Sequence, residues 1–274
     1  MNELFKRALT GFIYIFLLLS AIMLDAGAFD FLFLTFGIIC LFEFKRLIRL
    51  RGLHVFIIFL FLWWLFIHLR VSIFSVYIFL LFTILTNVYL LLLLFYERTP
   101  LKLRDNNYKL IISLLYIGGG CVFIPLIYKN EYLLSYSLFD AQLTMIGILC
   151  VIWASDSFAY LAGKSFGKHK LFERISPKKT IEGFIGGLVG AIITAVVISL
   201  YSSKEAWEWI VLAAVLVFTG TVGDLVESGF KRAAKVKDSG TILPGHGGLL
   251  DRLDSLLFAS PFAFLVLQLL EYLK

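Results

Sequence analysis

Nine apolar runs, each almost free of charged residues, divide the chain at 8–24, 29–42, 53–69, 71–96, 110–128, 141–163, 184–201, 206–226 and 255–273. A hydrocarbon core about 30 Å thick is crossed by roughly 20 helical residues rising about 1.5 Å each, so these runs predict membrane-spanning helices. The second and third are short for that task and the fourth is long, differences that tilt and local bilayer adjustment accommodate. The pattern predicts an all-α, polytopic integral membrane protein with about nine transmembrane helices.

No long repeat and no Pro- or Ser-rich linker divides the chain, yet its character changes along the way. Residues 1–109 are chiefly Leu, Ile and Phe joined by basic connectors and read as an N-terminal scaffold of helices. Residues 110–274 carry nearly all the informative polar groups and read as the half that holds a site at the cytoplasmic face.

Composition narrows the class further. With 60% hydrophobic residues, 16% charged residues and a mean hydropathy of +0.92, soluble domains, disordered chains, collagen, coiled coils and disulfide scaffolds are excluded. A net charge of +6 could suggest nucleic acid, but the bases sit in short segments between apolar runs, so no nucleic-acid partner is expected. If the N-terminus is cytoplasmic, alternation puts all but Arg70, Lys129, Lys204 and Lys274 of the 25 Lys and Arg residues on the inner side. Because basic residues are retained on that face, the bias supports both the span count and the orientation; in a bacterial cell the membrane would be the inner, plasma membrane. The start (Lys6, Arg7, an apolar stretch, then Ala26-Gly27-Ala28) also has the form of a secretory signal; with eight further spans the first helix is read as retained. Cys40, Cys121 and Cys150 lie singly in apolar segments and read as small hydrophobes.

Three polar constellations fall at cytoplasmic helix ends by this parity and can share one site. The richest runs from Gly223 to Asp254. Asp224, Glu227, Ser228, Lys231 and Lys235 recur at i, i+3, i+4, i+7 and i+11, one polar stripe leading out of the eighth span. A charge within a span costs about 2.5 to 3.5 kcal/mol on insertion scales, so Asp224 needs a partner or a cation. The following loop runs from Asp238 through Gly245, His246, Gly247 and Gly248, glycines that let backbone N–H groups approach an anion. Asp251, Arg252 and Asp254 then open the ninth span. Asp224 with Asp251 and Asp254 forms an oxygen-rich set suited to Mg²⁺, which prefers one or two carboxylates plus substrate phosphates; a second cation stays open. Lys231, Arg232, Lys235, Lys237 and Arg252 would hold the remaining phosphate charge. The bland alternative, acids and bases pairing with one another at a helix end, explains any single residue here better than it explains the whole run.

The second constellation is Trp153 to Tyr160, continuing to Gly163 and Gly167. Asp156 lies inside a span, where a carboxylate is by default functional; its alternative is a helix-to-helix salt bridge, and the two readings stand equal. Gly163 and Gly167 form a small-xxx-small pair suited to helix packing. The third is Ser176-Pro177-Lys178-Lys179-Thr180-Ile181-Glu182-Gly183, directly before the seventh span. A Ser or Thr cap, a Lys pair and a glycine suit phosphate at a positive helix terminus. Alternatively Thr180 only caps the helix, and the lysines only set topology or attract anionic lipid. His54, His68 and His169 have no partners at catalytic spacing, and Gly118-Gly119-Gly120 reads as close packing or a kink.

At these residues the sequence resembles the phosphatidate cytidylyltransferases, also called CDP-diacylglycerol synthases. Ser228, Lys231, Arg232, Lys237, Asp238, Gly240, Pro244, His246, Gly247, Gly248, Asp251, Arg252 and Asp254 fall in the order and spacing of that family's signature. Asp156, the stretch from Ser176 to Gly183, and Gly223-Asp224 also look like it. Upstream of the sixth span only the pattern of spans agrees. The resemblance implies a polytopic fold, CTP and phosphatidic acid as substrates, divalent-metal dependence and a homodimer in the lipid bilayer. It makes Asp224, Asp251, Lys231 and Arg252 the expected catalytic residues. Asp156, Ser176, Lys178, Lys179, Thr180, Glu227, Ser228, Arg232, Lys237, Asp238, His246, Gly247 and Gly248 are the expected substrate contacts, and Asp224, Asp251 and Asp254 the expected Mg²⁺ ligands.

The chemistry suits the residues independently. A phosphate monoester with a second pKa of about 6 is largely dianionic at neutral pH, so as a nucleophile it needs no strong general base. It needs charge neutralisation, which explains why no Ser-His-Asp or Cys-His arrangement is required. Two rivals remain. A CTP-dependent lipid kinase acting on polyprenol or phytol would release CDP instead of pyrophosphate. An anionic-lipid or nucleotide transporter would use Asp156 and Asp224 as coupling sites, with ionisable residues near the midplane of repeated halves, a pattern the sequence does not display.

Overall fold

The structure is a computed structural model that describes residues 3–69, 71–96, 101–103, 105–133, 137–245 and 247–274. Each of the nine apolar runs lies for most of its length in helix. The N-terminal half holds α1 (Glu3–Leu24), α2 (Ala26–Ile48), α3 (His54–Trp63) with a π-helical turn (Trp64–His68), and α4 (Ile73–Tyr96). Next come α5 (Asn106–Ile112), a second π-helical turn (Ser113–Gly118) and α6 (Gly119–Leu133), which form one continuous rod. The C-terminal half is α7 (Leu138–Phe166), α8 (Ile181–Ser199), α9 (Ala206–Ala234) and α10 (Leu250–Tyr272). Among the described residues seven helical segments are long and apolar enough to cross a membrane, and Leu9–Leu24 and His54–His68 are shorter apolar helices. Large apolar side chains such as Phe31, Phe74 and Phe95 point outward. Together these make a multi-pass membrane protein whose outer surface is solvated by lipid.

The helix ends follow from local chemistry. Asp25 caps α2, its Oδ1 accepting from Ala28 N at 2.7 Å, and Asp105 caps α5 through Asn107 N at 3.0 Å. Arg49 and Lys235 end α2 and α9 in the left-handed conformation, at φ 53° and 60°. Close helix packing uses glycine. A Cβ on Gly120 would run into the Leu257 backbone, and Ser260 Oγ donates to the Gly120 carbonyl at 2.8 Å, so α6 and α10 meet nearly backbone to backbone. Along the α7–α8 seam, Gly183 and Gly187 abut the carbonyls of Ala159 and Ser155.

One element departs from the all-helix expectation. Between α7 and α8 a short antiparallel hairpin pairs β1 (Lys170–Phe172) with β2 (Ser176–Thr180), Lys170 opposite Thr180 and Phe172 opposite Ser176. The two ends of the bundle differ in polar content. At one end, Asp30 pairs with Lys129 at 2.7 Å and Glu208 with Lys274 at 3.1 Å. At the other, the hairpin, the C-terminal turns of α2 and α9 and the first turns of α10 gather the polar constellations.

Candidate active site

The last turns of α9 run antiparallel to the first turns of α10, and Gly223 sets how closely they approach. A Cβ there would stand 2.8 Å from the Asp254 carbonyl and press on the Phe258 side chain. The close approach brings Asp224, Glu227 and Asp254 together, with one carboxylate oxygen of each within 4.8 Å of the others. Glu227 is fully buried and Asp254 nearly so. Burying charge is costly unless it is compensated, and the compensation here comes from a lysine of α9 itself and one of the hairpin. Lys231 forms an ion pair with Glu227 one turn earlier and reaches Asp251 Oδ1 at 2.7 Å. Lys179 from β2 stands 2.5 Å from Asp224 Oδ2, and Ser228 Oγ donates to Asp224 Oδ1 at 3.2 Å. Glu227 Oε1 has no hydrogen-bond partner among the described residues.

Asp251 stands apart from that trio. Its Oδ2 accepts from Ser239 N at 2.9 Å, Ser239 Oγ at 3.0 Å and Gly248 N at 2.8 Å, while its Oδ1 takes Lys231. It thus holds the polar loop onto α10 while still lining the cleft, and the residue grouped most tightly with Asp224 and Asp254 is Glu227. The loop is closed on itself by paired backbone bonds between Leu243 and Gly247, and Gly247 adopts φ 92°, a conformation that favours glycine.

The hairpin is fixed by Glu182 in the first turn of α8. Its carboxylate accepts from Lys168 N at 3.1 Å and His169 N at 3.2 Å and meets His169 Nδ1 at 2.7 Å. Thr180 caps α8, with its Oγ1 accepting from Gly183 N at 3.1 Å. It also packs against Gly163 and Gly167, so the small-residue pair of α7 seats the hairpin.

These elements enclose a cleft of about 560 Å³. Lys164, Lys178, Lys179, Lys231 and Arg252 line it together with Asp156, Asp224, Asp238, Asp251 and Asp254. Asp156 is exposed to the cleft and makes no helix-to-helix ion pair among the described residues. A neighbouring chamber of about 250 Å³ shares Asp156, Asp251, Arg252 and Asp254 and extends between α1 and α7, past Tyr14, Ile15, Leu149 and Trp153. A polar cleft thus communicates with an apolar-walled one.

Most of the expected residues converge here, and some do not. Arg232 turns away from the cleft, its Nε donating to the Ile175 carbonyl at 3.3 Å in the hairpin turn. Lys237, Ser176, Glu227, Ser228 and Gly247 are not among the cleft-lining residues. Gly248 contributes its N–H to Asp251 and not to open space. His246 lies outside the described residues. The sequence reading missed Glu43 altogether: this residue of α2 is 2% exposed and its carboxylate sits against the polar loop.

At one end of a bundle of membrane-crossing helices, a cleft thus sets clustered carboxylates against lysines beside an apolar chamber, a class of site in a multi-pass membrane protein that could receive a phosphate-rich ligand. The sequence profile of the cytidylyltransferase family matches residues 5–270, and the chain belongs to that family. It is similar to the phosphatidate cytidylyltransferase of Bacillus subtilis (strain 168), 34% identical over 290 aligned residues that cover 98% of this chain and 99% of that one. The protein of the same name from Staphylococcus saprophyticus is 42% identical over 159 residues, 57% of each chain. That of Staphylococcus aureus (strain COL) is 51% identical over 119 residues, 43% of this chain and 46% of that one.

Proposed function

We propose that this chain is a CTP:phosphatidate cytidylyltransferase, converting CTP and phosphatidate to CDP-diacylglycerol and pyrophosphate in phospholipid biosynthesis. The observation that carries the reading is the convergence of Asp224 and Asp254, backed by the buried Glu227, with the hairpin lysine Lys179 at one cleft that adjoins an apolar chamber. Family membership and a full-length relative bearing that name support it.

In this reading a phosphate oxygen of phosphatidate attacks the α-phosphorus of CTP. A new P–O bond forms as the bond from the α-phosphorus to the oxygen bridging the β-phosphorus breaks, and that oxygen leaves with the electron pair as pyrophosphate. The nucleophile arrives dianionic, so no side chain has to remove a proton from it. The task of the protein is to hold two anions together. Lys178, Lys179 and Arg252 line the cleft where triphosphate charge would lie, and Lys231 keeps Glu227 and Asp251 in place.

Asp224, Glu227 and Asp254 fit a divalent cation: each offers a hard oxygen donor to the cluster, and Glu227 Oε1 has no hydrogen-bond partner among the described residues. Mg²⁺ held there would neutralise developing charge on the triphosphate. The apolar chamber beside α1 suits acyl chains entering from lipid. The basic bias of the connectors supports a cytoplasmic site and N-terminus in the plasma membrane, and a homodimer belongs to the same proposal.

The test is direct. Purified protein with radiolabelled CTP, phosphatidate and Mg²⁺ is expected to yield a lipid-soluble cytidine product and one pyrophosphate per turnover. Release of CDP with a phosphorylated lipid would instead identify a kinase and end this reading.

A further inference from the structure

Helix α10 carries Asp251, Arg252 and Asp254, yet its own sequence supplies no side-chain cap: Leu249 stands at the N-cap position and makes no capping bond. The first N–H groups of any helix lack intrahelical partners and need acceptors when buried. Here the acceptor comes from another helix. Glu43 Oε1 accepts from Leu249 N at 3.2 Å and Oε2 accepts from Leu250 N at 2.8 Å, across 206 and 207 residues of sequence. The single Ser239 hydroxyl proton is shared between Oε2, at 3.1 Å, and Asp251 Oδ2, at 3.0 Å, and the Ser239 N–H is bound to Asp251.

The loop is shaped around this carboxylate. A Cβ on Gly240 would meet nothing nearer than Glu43, at 2.8 Å from its Cδ and closer to its Oε1. A Cβ on Gly248 would come within 2.8 Å of the same Cδ. Two glycines of the polar loop therefore leave the room that the Glu43 carboxylate fills. A carboxylate at a helix N-terminus is also favoured by the helix dipole.

We infer that Glu43 is a positioning residue for the cytidylyl-transfer site, an N-cap supplied by a distant helix of the same chain that fixes the start of α10, and with it Asp251, Arg252 and Asp254, relative to the carboxylates of α9. This rests on the function proposed above. Glu43 touches no substrate in this role; it acts through the polar loop and the first turn of α10.

The test compares Glu43→Gln, Glu43→Asp and Gly240→Ala with the wild type in full-length, detergent-purified protein. Glu43→Gln keeps the volume but offers one acceptor in place of two. It is expected to remain folded, with the Km for CTP raised about tenfold or more and kcat lowered, since loss of buried acceptors to backbone donors is being read out at the site. Gly240→Ala is expected to impair the wild type strongly but to cost less than about threefold in the Glu43→Asp background, because the shortened side chain vacates the space the new methyl needs. A purely structural Glu43 would lower yield and melting temperature while leaving the CTP Km of the folded fraction unchanged, and that result overturns the inference. So does an undiminished Gly240→Ala penalty in the Glu43→Asp protein. If a Glu43 variant does not fold, the Gly240→Ala single substitution with wild-type kinetics would equally overturn it. Failure of the underlying function would show differently, as an absence of cytidylyl transfer in the wild type.

Discussion

The ammonium of Lys179 stands 2.5 Å from Asp224 Oδ2, although the two residues belong to a hairpin strand and to a membrane helix 45 positions further on. The side chains are 28% and 34% exposed, so the pair itself is worth no more than about 1 kcal/mol. Its weakness suits a placeholder in the proposed reaction, in which the lysine would neutralise Asp224 before a divalent cation and a triphosphate bind. Lys179→Met is expected to lower the Mg²⁺ concentration giving half-maximal rate by a few fold, roughly the worth of one such pair, while raising the CTP Km. Mg²⁺ titrations at saturating phosphatidate would decide it; an unchanged Mg²⁺ midpoint with an unchanged Km would remove the placeholder role.

The carboxylate trio and Asp251 are expected to separate experimentally. Asp224→Asn, Glu227→Gln and Asp254→Asn should each reduce turnover by about 100-fold or more through lost metal and charge organisation. Asp251→Asn should also lose activity, but by loosening the loop, with stability reduced by about 1 to 3 kcal/mol as acceptors to Ser239 and Gly248 are lost. Metal binding followed by calorimetry, alongside melting curves, distinguishes the two groups. Should Asp251→Asn abolish metal binding while melting like the wild type, the assignment of Asp251 to the loop fails.

Helix separation gives a second lever on the same carboxylates. Gly223→Ala forces a methyl onto Phe258 and the Asp254 carbonyl, an overpacking penalty of about 1 to 3 kcal/mol that would move Asp224 away from Asp254. Gly220→Ala, one turn earlier on the same helix, meets Ser255 Cβ at an ordinary 3.5 Å. The first is expected to lose both stability and activity and the second neither, in melting and turnover assays run side by side.

How much of this was legible in the sequence depends on the range of each interaction. The helices were, because apolar runs of membrane-crossing length need no partner to be recognised. The hairpin was not: 170–180 is short, polar and without alternation, and it is held by Glu182 and by the cap at Thr180. Asp224 and Asp254, expected on neighbouring helix ends, do lie in one carboxylate cluster. Glu227 was read as a substrate contact and Asp251 as a metal ligand. Spacing alone cannot tell that Lys231 and the loop turn Asp251 toward Ser239 and Gly248 while Glu227 is drawn into the trio. Glu43, flanked by phenylalanines and followed by Lys45 and Arg46, looks like any juxtamembrane acid until the fold brings α10 to it.

Glu182 supplies a further expectation. Removing its grip on Lys168 N and His169 N in Glu182→Ala should loosen the hairpin that carries Lys178 and Lys179, raising the CTP Km more than it changes the phosphatidate Km. Steady-state kinetics with each substrate varied in turn would check this, and an equal effect on both would count against a nucleotide-side hairpin.

The bond from residue 43 to residues 249 and 250 bears on how the molecule can be cut and engineered. A fragment beginning after residue 109 would retain both helices bearing the acidic trio, yet its final membrane segment would start with bare amide groups facing an emptied socket. Co-expression of the two pieces, or a circular permutant that keeps them covalently joined, would be the way to restore what neither half possesses alone.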